Sequence, residues 1–180
     1  VNRVVSTTTL TSSENPSEVG DALTFTATVT AGGAPVTTGD VTFTVDGTDT
    51  LTAPVSASGV VTLDTSTLTA GTHTIGARYA GTTTYAPSSD DLAQVVSLLV
   101  TATTLTSSLN PSDVGDALTF TATVSSGGAP VTTGSVTFSI DGTDYFTTPV
   151  SAGGVATLNY DTFTAGTYAI VARYVANATY

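Results

Sequence analysis

The segment TLTSSENPSEVGDALTFTATV at Thr9–Val29 recurs as TLTSSLNPSDVGDALTFTATV at Thr104–Val124, an offset of 95 residues. The alignment extends without a gap from Thr9–Tyr85 onto Thr104–Tyr180, with 23 differences in 77 positions. A gapless repeat of this quality predicts tandem copies of one module. Because about 95 residues are enough for a complete domain, the sequence predicts two domains, at residues 1–98 and 99–180.

Apolar and polar residues alternate within each copy. Apolar side chains in Leu23–Val29 and Val41–Val45 are separated by threonines, a period of two that predicts strands with one core face and one hydroxyl-lined face. Turn signals such as Asp46-Gly47 separate these short segments, and no helical pattern occurs. We therefore predict an all-β chain of two tandem antiparallel β-sandwiches, with phenylalanines such as Phe25 and Phe43 in the cores.

The charge balance excludes several classes of function. The chain has 3 basic and 14 acidic side chains, a formal net charge of −11, no Cys and one His. A nucleic-acid partner is excluded because so few arginines cannot neutralise a phosphate backbone. The absence of Cys removes disulfides and thiolate chemistry, and no apolar stretch approaches the roughly 18 residues of a membrane-spanning helix.

One aromatic position refines the fold class to immunoglobulin-like. In such sandwiches a Tyr near the start of the penultimate strand bonds back to the chain just upstream. Tyr168 follows Thr164-Ala165-Gly166-Thr167 and fits this structural corner, and His73 holds the matching position in the first copy. We expect either ring to fill the same structural role, with one ring nitrogen of His73 bonded to the backbone.

The combined motifs identify a family. TLTSS, NPS and VGDALTFTATV, followed by G-x-VTF, DGT and L-x-A-G-T-x-x-I-x-A-x-Y, resemble the bacterial Ig-like domain repeats of long extracellular proteins. The resemblance covers essentially the whole chain. It implies secretion or surface display in tandem arrays, where members serve as stalks, as adhesin shafts and as spacers beside catalytic domains, and it does not fix a ligand.

No constellation of residues predicts catalysis. His73 is the one candidate base, and its replacement by Tyr168 in the second copy favours a structural role. Asp46 and Asp49, repeated as Asp141 and Asp144, have the spacing of a carboxylate pair, but Asp-Gly between strands is first a signal for a type I′ turn. We therefore predict that the chain is not an enzyme and requires no cofactor.

Calcium and glycans are weaker alternatives. Ca²⁺ takes oxygen ligands, and Asp21, Asp90-Asp91 and Asp116 lie near predicted domain ends, although no Asp-x-Asp-x-Asp spacing occurs. Asn177 begins an N-x-Thr acceptor for glycosylation, but the first copy has Thr82 at that position, so the acceptor is not part of the module.

The second copy ends at the equivalent of Tyr85, so the counterpart of Ala86–Val95, the start of a last strand, is absent from this sequence. Either the sequence is a window from a longer array, or another molecule adds the strand to an open sheet edge. The segment Val1–Thr9 is apolar enough to be donated in this way. Head-to-tail donation would generate an open filament.

Together these observations predict a non-enzymatic structural module of an extracellular or cell-surface repeat protein. It would form a stalk or filament whose partners are neighbouring copies or adjacent repeats of the same chain. The alternative is an adhesin or a carbohydrate-binding accessory module of a secreted protein. A binding patch for glycans would then consist of Tyr145, Phe146 and Tyr160, where the first copy has Thr50, Leu51 and Thr65.

Overall fold

A computed structural model describes residues 2–180 of the chain. These residues form two compact units, the first ending at Leu98 and the second spanning Leu99–Tyr180. No helix occurs among the described residues, and so none that could cross a membrane. The all-β class predicted from the period of two is confirmed.

The first unit contains nine strands, two pairs of which are joined by tight hairpins. They are β1 (Thr7–Ser12), β2 (Ser17–Glu18), β3 (Leu23–Ala31), β4 (Ala34–Pro35), β5 (Asp40–Val45), β6 (Thr48–Pro54), β7 (Val60–Thr65), β8 (Gly71–Tyr79) and β9 (Ser88–Ser97).

Two sheets of the first unit enclose its core. In one sheet β3 pairs with β1, β4 and β7, and the other has the order β2-β9-β8-β5-β6. All pairings are antiparallel except the two-residue contact between β2 and β9, which is parallel. The last strand β9 therefore lies between β8 and the short β2, where it covers one side of the sandwich.

The second unit repeats this architecture with seven strands. In one sheet β11 pairs with β10, β12 and β15, and the other has the order β14-β13-β16. Among the described residues no strand pairs with the outer edge of β16. The strands are β10 (Ala102–Ser107), β11 (Leu118–Ser126), β12 (Ala129–Pro130), β13 (Ser135–Ile140), β14 (Thr143–Pro149), β15 (Val155–Tyr160) and β16 (Ile170–Val175).

Alternation places the expected phenylalanines in the two cores. Phe25 and Phe43 are completely buried in the first unit, and Phe120 and Phe138 are buried in the second. The intervening threonines of β3 are only partly buried. Packing of apolar side chains thus replaces the disulfide of antibody domains.

A tyrosine at the same position of each unit bonds to the loop before the central strand. Tyr79 is fully buried, and its hydroxyl donates a 2.9 Å hydrogen bond to the carbonyl oxygen of Thr38. Tyr174 makes the same bond to Thr133. The ring of Tyr79 lies so close to Gly39 that a Cβ there would stand 2.8 Å from Cε2, so Gly39 is required by packing as well as by its φ of 90°.

The segment Val1–Thr9, predicted as a donated strand, is instead part of the first unit wherever the structure describes it; Val1 lies outside the described residues. Val4 donates to the carbonyl oxygen of Thr84 at 2.8 Å, and Ala86 donates back to Val4 at the same distance. Thr8 is buried and pairs with Val29 in the β1–β3 ladder. Within this chain the segment therefore already has a partner, which its apolar composition does not reveal, and its donation to another molecule stays a prediction.

We expect Gly39→Ala to destabilise the first unit by about 1–3 kcal/mol more than Gly20→Ala, because only the former overpacks a buried ring. Gly20 is the matched control, since its φ of 93° is nearly the same and a Cβ there would meet nothing within 4 Å. Urea denaturation of both variants measures the difference. Equal losses of stability would show that backbone conformation, and not the contact with Tyr79, requires glycine at residue 39.

Candidate functional site

The predicted corner residue His73 makes hydrogen bonds with both ring nitrogens. Nδ1 lies 2.8 Å from Oδ2 of Asp46, and Nε2 lies 2.8 Å from the carbonyl oxygen of Thr69. Since a carboxylate and a carbonyl can only accept, the protonated imidazolium form of His73 is the form that satisfies both contacts. The bond to Asp46, and then that to Thr69, raises the pKa of His73 above its usual value.

Asp46 owes its position to the turn between β5 and β6. Its φ of 50° and the φ of 79° at Gly47 confirm the predicted turn with positive φ at both central residues. The carboxylate reaches across to β8, where Oδ1 accepts a 2.9 Å hydrogen bond from the amide of Thr74. The bond to His73, followed by that to Thr74, lowers the pKa of Asp46.

The second unit keeps this arrangement with a different ring. Asp141 has a φ of 49° and accepts from the amide of Ala169 at 2.8 Å. The hydroxyl of Tyr168 donates to the carbonyl oxygen of Thr164 at 3.2 Å and lies 2.7 Å from its Oγ1. Tyr168 thus reaches the residue four positions upstream, as His73 reaches Thr69.

The His73–Asp46 pair provides no base for nucleophilic catalysis. A general base needs a free lone pair within reach of the proton that it removes, and both ring nitrogens of His73 are occupied as donors. The geometry suits a structural tie between the turn and β8. The sequence did not predict this bond, since the two residues are 27 positions apart and only the pairing of β5 with β8 brings them together.

The aromatic residues predicted as a binding patch lie at one edge of the second unit. The rings of Tyr145 and Tyr160 are 5.2 Å apart at 76°, and Tyr145 is 57% exposed. Phe146, 47% exposed, follows Tyr145 along β14 and faces Phe138 across the ladder. A register shift in this ladder leaves Tyr145 without a cross-strand partner, which explains why consecutive aromatic residues are both accessible.

These rings continue inward as a connected series. Phe163 stacks on Tyr160 at a centroid distance of 4.3 Å and on Tyr168 at 4.4 Å. The patch is therefore held from beneath by further rings, whereas the first copy has Leu68 in place of Phe163. Tyr145 and Tyr160 thus form a half-exposed aromatic surface that is accessible to a ligand and is in contact with Phe163.

Three of the four carboxylates considered as calcium ligands accept hydrogen bonds from the backbone, and Asp91 is the exception. Asp21 accepts from the amide of Glu18 at 2.6 Å, and Asp116 accepts from Asp113 at 2.9 Å. Asp90 accepts from the amide of Leu10 at 2.9 Å. Within residues 2–180 no three acidic, His or Cys side chains are grouped as a metal site would require. Calcium binding stays a prediction.

Asn177, the candidate glycosylation site, caps a turn. Its Oδ1 accepts from the amides of Thr179 and Tyr180, at 2.8 and 3.1 Å, as the hydroxyl of Thr82 does for the matching turn of the first unit. Its Nδ2 donates to Thr133 and Tyr174 at 3.0 and 3.2 Å. Because a glycosylated amide nitrogen keeps one of its two hydrogens, attachment of a glycan would require at least one of the Nδ2 bonds to break.

The largest structural difference between the units lies where β9 covers the first unit. The side chain of Asn15 forms two hydrogen bonds with the backbone of β9. Its Nδ2 donates to the carbonyl of Ala93 at 2.7 Å, and its Oδ1 accepts from the amide of Val95 at 3.0 Å. Gln94 points inward and is completely buried. The contacts of Asn15 and Gln94 could not be predicted from the sequence, where the one signal is recurrence of the NPS motif as Asn110-Pro111-Ser112.

In the second unit the corresponding surface is an open groove of about 500 Å³, which we call the edge groove. Asn110 is exposed there, and Ile170 is only partly buried, whereas its counterpart Ile75 is fully buried. The residues lining the edge groove include Leu109, Leu118, Phe120, Phe163, Tyr168 and Ile170.

A family model described as Bacterial Ig-like domain (group 3) matches the chain in two segments, residues 10–97 and 105–180. The two matches coincide with the two copies found by internal alignment. No curated protein sequence matches the chain.

Three solved structures are similar to the chain, each with a TM-score of 0.39. The D0-D1 domain of Intimin is 21% identical over 96% of this chain and 91% of that chain. A 1.5-MDa bacterial ice-binding adhesin is 18% identical over 96% and 63%. The CbhA fibronectin(III)-like modules of Clostridium thermocellum are 18% identical over 93% of each chain.

We expect the stability of the first unit to fall as the pH rises through the raised pKa of His73. Because folding raises this pKa from its usual 6.5, the contribution is complete below that value and is lost above the folded-state value. Thermal unfolding between about pH 6 and about pH 9 measures the effect in the parent chain and in His73→Tyr, which introduces the ring of the second copy. An identical pH profile for the two proteins would contradict the assignment.

Proposed function

The chain belongs to the bacterial Ig-like domain family, and on that premise we propose that it is a non-enzymatic structural module of an extracellular or cell-surface protein. Its two units act in series as part of a stalk or filament. The observation that carries this proposal is the way in which the first and last strands of the first unit lie against each other.

These two strands run parallel and side by side. Val4 bridges Tyr85 in parallel orientation, and further along Leu10 donates to Oδ2 of Asp90 at 2.9 Å. Between these points Ser88 lies within hydrogen-bonding distance of two hydroxyls, those of Ser6 at 2.8 Å and Thr8 at 2.7 Å. The chain therefore enters the unit at one end of this pair and leaves at the other.

Tension applied through the chain loads these contacts in shear. In this geometry the hydrogen bonds stretch together, so several of them must break at once before the unit opens. No covalent cross-link is needed, which accords with the absence of Cys and Lys. A spacer between an anchor and a distal domain requires this property.

In the second unit no strand pairs with the outer edge of β16 among the described residues, and apolar side chains beside it, such as Ile170, are only partly buried. An uncovered sheet edge accepts a further strand readily. We propose that an adjacent repeat or another copy supplies it, and that the partners of this chain are accordingly modules of its own kind.

A second candidate function is glycan binding, as an adhesin or as an accessory module of a secreted protein. It is favoured by the contact between Tyr145 and Tyr160 and by their support from Phe163. Exposed aromatic rings with polar tips provide flat apolar surfaces and hydrogen-bonding groups together. The first copy has threonine at both tyrosine positions, so binding would be confined to the second unit.

The stalk proposal predicts that Asp90→Ala lowers the force at which the first unit unfolds in single-molecule extension. The substitution removes the bond to Leu10 that is loaded in shear. Asp91→Ala is the matched control, because it makes the same change of charge at the exposed neighbouring residue. Unfolding of the second unit in the same traces gives an internal reference.

Equal unfolding forces for Asp90→Ala, Asp91→Ala and the parent chain would exclude the shear contact as the source of resistance. A parent chain whose first unit opened at forces typical of unstructured segments would contradict the stalk function itself.

The glycan proposal predicts that the parent chain is retained on a glycan array and that Tyr145→Thr combined with Tyr160→Thr abolishes retention. These changes install the residues of the first copy, and Tyr160 also packs against the core of the second unit. A cooperative thermal transition well above the assay temperature is the control for folding. Retention that survives the double substitution, or a parent chain that binds no glycan, would eliminate this function.

A further inference from the structure

The second copy gains aromatic side chains in one region only. Among the differences between the copies, five introduce Tyr or Phe and none removes one. The new residues are Tyr145, Phe146, Tyr160, Phe163 and Tyr168. Four of these rings form one connected series, from Tyr145 through Tyr160 and Phe163 to Tyr168, and Phe146 follows Tyr145 on β14. The aromatic gains therefore belong to a single feature of the second unit.

The outer part of this feature is exposed, and we call its residues Tyr145, Phe146 and Tyr160 the aromatic patch. Tyr145 and Phe146 are both exposed, whereas Leu51, the counterpart of Phe146, packs against the core of the first unit. Exposure of large aromatic side chains forfeits apolar burial. The stability of the second unit therefore does not account for these two residues, and an exposed patch of this kind marks an interaction site.

One carboxylate is gained at the same place. Ser66 of the first copy is replaced by Asp161, which directly follows Tyr160 and is exposed. No other aligned position gains a carboxylate. Three positions lose one, since Glu14, Asp40 and Asp64 are replaced by Leu109, Ser135 and Asn159. Negative charge is thus reduced over the rest of the second unit and added beside the aromatic patch.

The carboxylates next to the aromatic patch have no basic partner. Asp144 directly precedes Tyr145 and, like Asp161, is exposed. Among the described residues the single ion pair joins His73 to Asp46, in the first unit. The negative charges of Asp144 and Asp161 are therefore not compensated by a side chain of the protein.

The one basic side chain of the second unit faces away from the aromatic patch. Arg173 pairs with Thr137 of β13, whereas Phe146 pairs with the next residue, Phe138. Phe138 is completely buried. Because successive side chains of a strand project to opposite faces, Arg173 lies on the outer face of the sheet and Phe146 on the core side. The surroundings of the aromatic patch are therefore acidic.

The arrangement of the two tyrosines suits a positively charged group. The rings of Tyr145 and Tyr160 are 5.2 Å apart at 76°, so they form two walls of a corner. The face of an aromatic ring carries negative potential and attracts a cation within about 6 Å of its centre. A nearby carboxylate adds to this attraction. An alkylated ammonium group fits both properties, because its alkyl groups contact the rings and its charge interacts with the ring faces and the carboxylate.

We propose that the aromatic patch binds an alkylated ammonium cation, with Tyr145 and Tyr160 contacting its alkyl groups and Asp161 supplying negative charge beside them. This inference goes beyond the stalk function, and it assigns to the patch a class of ligand other than neutral glycans. The site is confined to the second unit, since the first has Thr50, Thr65 and Ser66 at these positions.

The test compares two ligands that differ in charge and have nearly the same shape. One is choline, and the other is its carbon analogue, in which a tert-butyl group replaces the trimethylammonium group. Each is titrated into the full chain while NMR spectra follow the signals of Tyr145, Phe146 and Tyr160. The signals of Thr50 and Thr65 in the first unit report non-specific binding.

We expect choline to bind about five-fold more tightly than its carbon analogue, because only the charged ligand gains from the ring faces and the carboxylate. Raising the salt concentration from about 0.02 M to about 0.5 M should weaken the binding of choline and not that of the analogue. Both comparisons are made in the unmodified chain, so they do not depend on the stability of a variant.

Variants then assign the preference to particular residues. Asp161→Ser restores the residue of the first copy and should weaken the binding of choline by about three-fold, without affecting the analogue. Asp49→Ser is the matched control, since it removes one exposed carboxylate from the first unit. Tyr145→Thr should reduce the preference for choline to less than about two-fold, whereas Tyr145→Phe, which keeps the ring, should retain it.

Equal affinities of the two ligands at both salt concentrations would overturn the proposal in favour of apolar contact alone. Signals of the aromatic patch that move with neither ligand would overturn it as well. Equal weakening by Asp161→Ser and Asp49→Ser would show that choline responds to the net charge of the chain and not to this site. Neither ligand is a glycan, so each of these results is distinguishable from failure of the glycan proposal.

Discussion

The pairing of β9 with β8 determines whether a sandwich of this kind is closed. It covers one flank of the first unit, where Ile75 and Tyr79 are completely buried. Their counterparts Ile170 and Tyr174 are only partly buried because no strand lies beside β16 among the described residues. Partial burial of such side chains forfeits part of the apolar area that stabilises the fold, at roughly 25 cal/mol per Å². Closure of the sheet by β9 therefore also completes the burial of the core side chains and stabilises the unit.

This dependence connects fold with function. The strand that closes the first unit is also the one that lies parallel to Val4–Leu10 and takes up shear, so closure and resistance to tension are provided together. In the second unit the face that β9 covers in the first unit is accessible, and Asn110 is exposed there.

Much of the architecture could be predicted from the sequence because it rests on local patterns. Alternation in Leu23–Val29 identifies a core face, and Asp46-Gly47 identifies a turn, without knowledge of distant partners. Because the two copies align without a gap, each prediction for the first copy also applies to the equivalent residues of the second. The aromatic gains Tyr145 and Tyr160 were visible as differences between copies, and the structure brings them into contact.

The remaining features depend on which strands are neighbours. His73 and Asp46 meet only because β8 pairs with β5, and Asn15 meets Val95 across 80 residues of sequence. Composition also cannot show that Val4, in the segment preceding β1, is bonded to Thr84 of its own unit. Gln94 has no counterpart in the second copy, so alignment of the copies gave no sign of its buried role.

The most direct test is amide hydrogen exchange in the chain alone. It compares the exchange rates of Gly71–His73 in the first unit with those of the equivalent segment Gly166–Tyr168 in the second. Strand closure by β9 predicts slow exchange in the first segment and fast exchange in the second, with the difference extending into β16. Equally slow exchange in both segments would contradict the central claim, because it would mean that the second unit is closed without a further strand.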